Sequence, residues 1–207
     1  MVFKNTDETV KTLFDKDYRR ASDTQFKCDM KSIKDIRGHC QGVFFGQGYP
    51  NRKDELWKYT SLEKVAKTPF VYGGSYNEKN VLKQISRITE LSNSLRFVFV
   101  NGHYQEHLSD SMNSLEEGVS LSPLSSVFRS QPDRLDGIYG TIIDPEDSFT
   151  YAMNTGFSVD GLLLHVAKGI HVKKILHIIS IGSVSSDSIS FHPRLEFVLE
   201  GGATATV

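Results

Sequence analysis

The sequence predicts an α+β fold in which a mostly helical part, residues 1–153 with one short hairpin, is followed from residue 154 to 207 by a run of short strands. Three observations predict it. Apolar residues recur at three- and four-residue intervals in the first ninety-five positions. Asn101-Gly102 follows the β-branched and aromatic run Phe97 to Val100, the preferred pair for a tight hairpin. Beyond Asn154, turn residues punctuate short apolar runs at intervals of about 8 to 14 residues.

In order along the chain, Thr6 or Asp7 can cap a first helix whose stripe is Val10, Leu13, Phe14 and Tyr18. A second helical pattern uses Ile33, Ile36, Cys40, Val43 and Phe44, with Gly38 and Gly42 each costing about 1 kcal/mol relative to alanine. After Pro50 a short helix is expected over RKDELWKYTSLEKV, capped by Asn51 and supported by an Asp54–Lys58 pair. Val81, Ile85, Ile88, Leu91 and Leu95 then follow helical spacing, in a stretch that could be partly extended. Short helical or irregular pieces fill 121–157. Strands are expected at 162–166, 175–181, 188–191, 194–200 and 203–207, the rhythm of a sandwich, barrel or β-solenoid. Leu195, Phe197 and Leu199, then Ala203, Ala205 and Val207, alternate with polar neighbours, so each strand is expected to show one buried face. Those faces call for a cover, so the sequence predicts a chain that continues past Val207, and self-association through the uncovered β edge if it does not.

Composition narrows the function classes. With 24 basic and 25 acidic residues the net charge is -1, which gives no general field for a polyanion and disfavours nucleic acid. Two cysteines, Cys28 and Cys40, do not make a disulfide framework. The opening MVFKNTDETVK has no secretory or transit character, and no apolar run approaches the roughly 20 residues of a membrane span, so a cytoplasmic location is expected.

His165, His171 and His177 recur every six residues, but Lys168-Gly169 interrupts any common strand, and structural histidines are favoured over metal ligands. His39-Cys40 with Cys28 fits no metal spacing. GQGYPN at 46–51 lacks the elements of a phosphate loop and reads as a turn. No Gly-X-Ser-X-Gly elbow is present. Arg52 and Lys53 beside Trp57 and Tyr59 read as a helix packing its aromatic face on its own domain. Asp160, Asp187, Glu196 and Glu200 are the carboxylates that a carbohydrate-active β-solenoid would need, the alternative reading. The residues therefore give no catalytic, cofactor-binding or metal site.

Four segments in order carry a resemblance: GYPNRKDELWKYTSL at 48–62, LRFVFVNGHYQEHLS at 95–109, FTYAMNTGFSVDGLLLHVAKGIHVKKILHI at 149–178 and PRLEFVLEGGATATV at 193–207. Together they are similar to the SufD family, scaffold subunits of the Suf (SufBCD) iron-sulfur cluster assembly system, and the Trp-Lys-Tyr-Thr element favours SufD over its sister SufB. The resemblance implies a helical N-terminal domain followed by the first coils of a right-handed parallel β-helix. It further implies a non-catalytic scaffold whose partners are a SufB-like subunit and a SufC-like ATPase, with clusters and ATP handled by the whole complex. The family's cluster or metal residues are expected beyond Val207, so none is assigned here.

Overall fold

The structure, a computed structural model, describes residue 26 and residues 30–73, 75–183 and 188–207. The helix expected to begin at Thr6 or Asp7, together with Cys28 and Asp187, lies outside them.

Helix α1 spans Lys31–Gln47 and buries Ile33, Cys40 and Phe44, the stripe its spacing predicts. Gly38 and Gly42 face open space, where a missing side chain leaves no hole. The single helix expected after Pro50 is instead broken into a 3-10 turn, Glu55–Trp57, and helix α2, Glu63–Lys67. Lys58 pairs with Glu55 rather than with Asp54, because Asp54 Oδ2 accepts the Asn51 amide and is spent on the turn. Trp57 packs edge-on to Phe149 with ring centroids 6.2 Å apart, whereas Tyr59 is 92% exposed, so only half of the expected aromatic face is inward.

Strand β1, Phe70–Tyr72, precedes helix α3, Glu78–Ile85, which is capped by the Asn77 side chain. Helical spacing past Ile85 is not realised as helix. Ile88 and Leu91 are exposed, and Leu95 belongs to strand β2, Ser94–Val100. A β-strand has period two, and Leu95, Phe97 and Phe99 already supply one inner row, so tertiary pairing overrides a helical pattern that reached only its last member. The hairpin is present: β2 turns at Asn101 and Gly102, both at positive φ, into β3, His103–Tyr104.

Strand β4, Val119–Pro123, and helix α4, Leu124–Ser130, follow. Helix α5, Phe149–Phe157, begins at a Ser148 cap and contains Asn154. The four remaining strands are β5 Gly161–Val166, β6 Ile175–Ile181, β7 Ser188–Ser190 and β8 Arg194–Leu199, in close agreement with the spacing read from the sequence. The fifth expected strand, 203–207, does not form. After the Gly201-Gly202 turn only Thr204 makes a parallel bridge, to His171, while Ala203 and Ala205 tuck against the core.

Three sheets result, ordered β1-β7, β3-β2-β6 and β4-β5-β8. Three of the pairings are parallel, β1 with β7, β2 with β6 and β5 with β8, whereas β4 runs antiparallel to β5. Strands from the first hundred residues are thus built into the same sheets as strands beyond residue 160. The β5-β8 ladder and the bridge beyond it share one offset. Gly161 pairs with Arg194 and His171 with Thr204, 33 positions later in each case. The inner core is the stacked row Leu95, Phe97 and Phe99 of β2, Leu162, Leu164 and Val166 of β5, and Leu176 of β6.

Pairing also inverts one expectation of burial on β8. Leu195, Phe197 and Leu199 lie beside Leu162, Leu164 and Val166 but are 39, 42 and 44% exposed, whereas Arg194 and Glu196 on the opposite face are buried. Helix α5 and Tyr139 close over the polar face and give it partners. Among the described residues no strand lies on the far side of the apolar row.

Candidate functional site

The densest concentration of buried polar groups lies where helices α1 and α5 meet the β5-β8 edge. It begins with an accounting problem. Helix α5 ends in the interior, where its last carbonyls have no helical partners. Two side chains of α1 solve this: Arg37 Nη1 donates to the Ser158 carbonyl, and Gln41 Nε2 donates to the Gly156 carbonyl at 2.6 Å. Arg37 and Gln41 are one helical turn apart, so both fall on the same face. The Arg37 guanidinium also lies 4.2 Å from the Phe26 ring centroid and 4.5 Å from that of Phe128, favourable cation–π distances.

Arg194 occupies the other side of the same junction. It is 8% exposed and donates through Nε to Glu196, itself 3% exposed, and through Nη1 to Asn154 Oδ1 and Thr155 Oγ1. Burial by itself would lower the Arg194 pKa, but the hydrogen bond and charge of Glu196 outweigh it and raise the value above that of an ordinary arginine. Tyr139 joins the two arginines: both guanidinium groups approach its ring, and its hydroxyl donates to the Thr155 carbonyl at 2.6 Å.

Asp160 is the third element. It directly precedes β5, is buried, and accepts three backbone amides: Tyr104 at 2.9 Å, Ser125 at 3.0 Å and Gly161 at 2.8 Å. One carboxylate therefore fastens the hairpin, the start of α4 and the start of β5 to a single point. Asp160→Ala would leave three amides without this acceptor and is expected to cost about 3 kcal/mol, with Asp160→Asn milder because one carbonyl oxygen remains. Chemical denaturation of the variants measures both.

Other charged groups are also structurally engaged. His165 Nε2 lies 2.9 Å from Glu200 Oε1, and His171 Nδ1 lies 2.7 Å from Thr204 Oγ1. His177 sits in β6 opposite Arg96. The three histidines thus lie on different elements and do not converge, as the interruption at Lys168-Gly169 predicts. No group of three or more His, Cys, Asp or Glu side chains suited to a metal occurs among the described residues. Of the carboxylates the carbohydrate reading needs, Asp160, Glu196 and Glu200 are held by backbone amides, Arg194 and His165 respectively.

Two open clefts flank the junction. One, of about 630 Å3, is lined by Tyr104, Glu106, Asp110, Ser125, Ser126 and Asp160. The other, of about 560 Å3, includes Asp35, His39, Cys40, Thr141 and Asp144. Cys40 is fully buried, and desolvation raises its thiol pKa despite the charge of Arg194, so it is a poor nucleophile at neutral pH.

Among the described residues, His192 has a strongly displaced titration. Burial lowers its pKa to about 4, with Ser190 Oγ 2.9 Å from its Nε2. An unfolded histidine titrates near its ordinary 6.5, so between pH 6.5 and 4 the unfolded chain binds the extra proton and stability falls as pH falls. The loss should approach about 3 kcal/mol near pH 4, and His192→Phe should flatten that limb of a stability–pH profile. Denaturation at pH 7, 5.5 and 4.5 would show it.

Sequence reasoning missed this junction. Its only legible sign is Arg194-X-Glu196, two opposite charges on one face of a strand. Arg37 and Gln41 find their partners more than a hundred residues away, and Asp160 gains two of its three from Tyr104 and Ser125.

The arrangement is that of a structural joint, and comparisons with known proteins agree in pointing to an assembly family. Residues 5–178 match the family model described as SufBD protein N-terminal region. Over 158 residues, 76% of the chain, it is 25% identical to the iron-sulfur cluster assembly SufBD family protein of Synechocystis sp. (strain ATCC 27184 / PCC 6803 / Kazusa). That match covers 34% of the cyanobacterial protein, so the chain spans about a third of the length of this curated relative. Since the family model takes in most of the chain, from before α1 into β6, the protein belongs to the SufBD family by its N-terminal region.

Proposed function

We propose that this chain is a non-catalytic scaffold element of a SufBCD-type complex, taking part in the assembly and transfer of iron-sulfur clusters as a SufD-like component. The observation that carries the reading is the family match over residues 5–178, together with the Trp-Lys-Tyr-Thr element at 57–60 that favours SufD over SufB. Its partners are a SufB-like subunit and a SufC-like ATPase. Clusters are its cargo, ATP is handled by the ATPase, and the cytoplasm is its location. No described helix is long and apolar enough to cross a membrane.

The parallel strands are the first coil of a right-handed β-helix in this reading. Its support is the 33-residue offset shared by the Gly161–Arg194 and His171–Thr204 pairs. Strands β1, β2 and β4 then act as the N-terminal cap, pairing with β7, β6 and β5. Such a cap is what a solenoid needs where its stacked core would otherwise meet water.

Affinity capture from native lysate of the source cell tests the assignment. The expected result is co-purification of the natural full-length protein with both a SufB-like and a SufC-like partner. Recovery of neither would overturn it.

A further inference from the structure

We draw no further inference here: the strongest candidate, the surface patch at the 3-10 turn Glu55–Trp57 where Leu56 and the nearby Tyr59 stand exposed, carries nothing because nothing in the structure shows what covers it.

Discussion

Gly161→Ala is expected to be the most damaging single substitution in the strand region, costing more than about 4 kcal/mol or abolishing the fold. A Cβ at this position would stand 1.7 Å from the Arg194 carbonyl oxygen, a separation no rotamer can relieve because both groups are backbone. The neighbourhood cannot retreat. Gly161 is the first residue of β5, its amide is held by Asp160, and its partner Arg194 is fixed through Glu196, Asn154 and Thr155. Moving β8 away would therefore break the β5-β8 ladder and the buried ion pair together. The measurement is loss of the cooperative transition in thermal or chemical denaturation. Gly137→Ala is a useful comparison: it too has positive φ, but nothing lies within 4 Å of the added atom, so only the backbone strain of about 1 kcal/mol should appear.

Glu196→Gln is expected to be the second largest effect. It keeps the size of the side chain and removes its charge, which leaves the Arg194 guanidinium buried with neutral partners only. Breaking one side of a buried pair in this way typically costs about 3 to 5 kcal/mol, far more than an exposed pair, because the stranded charge has lost both water and counter-ion. The double variant Arg194→Met with Glu196→Gln removes the stranded charge and should recover much of that loss, a non-additive result that a double-mutant cycle would register. Exposed pairs provide the contrast: Lys31–Asp35 and Lys67–Glu63 are solvent-screened helical pairs whose removal should change stability little.

The junction of α1, α5 and the β5-β8 edge fixes the helical part against the sheets, the fixed relation that the proposed scaffold role requires. The arginines, Asp160 and Tyr139 act there as fasteners: they satisfy the ends of helices and strands that the fold buries.

The sequence alone determined the elements with strong local grammar. Asn101-Gly102 fixed the hairpin because few residues adopt two consecutive positive φ angles, and β5, β6, β7 and β8 were bounded by turn residues and by apolar runs too short for helices. It also separated the two faces of β8 by alternation, and the order of four segments carried the family. Only the tertiary structure decided which face was buried. Alternation gives two faces without saying where the neighbours are. Arg194 and Glu196 could go inside because helix α5 brought Asn154 and Thr155 to meet them, while Leu195, Phe197 and Leu199 stayed open because no described strand lies beyond them. The same reason explains the stretch after Ile85, where the pairing of β2 with a strand some eighty residues later outweighed local helical spacing. Local patterns are set by neighbours in sequence, but burial is set by neighbours in space, and in this chain those neighbours come from the far end of the fold.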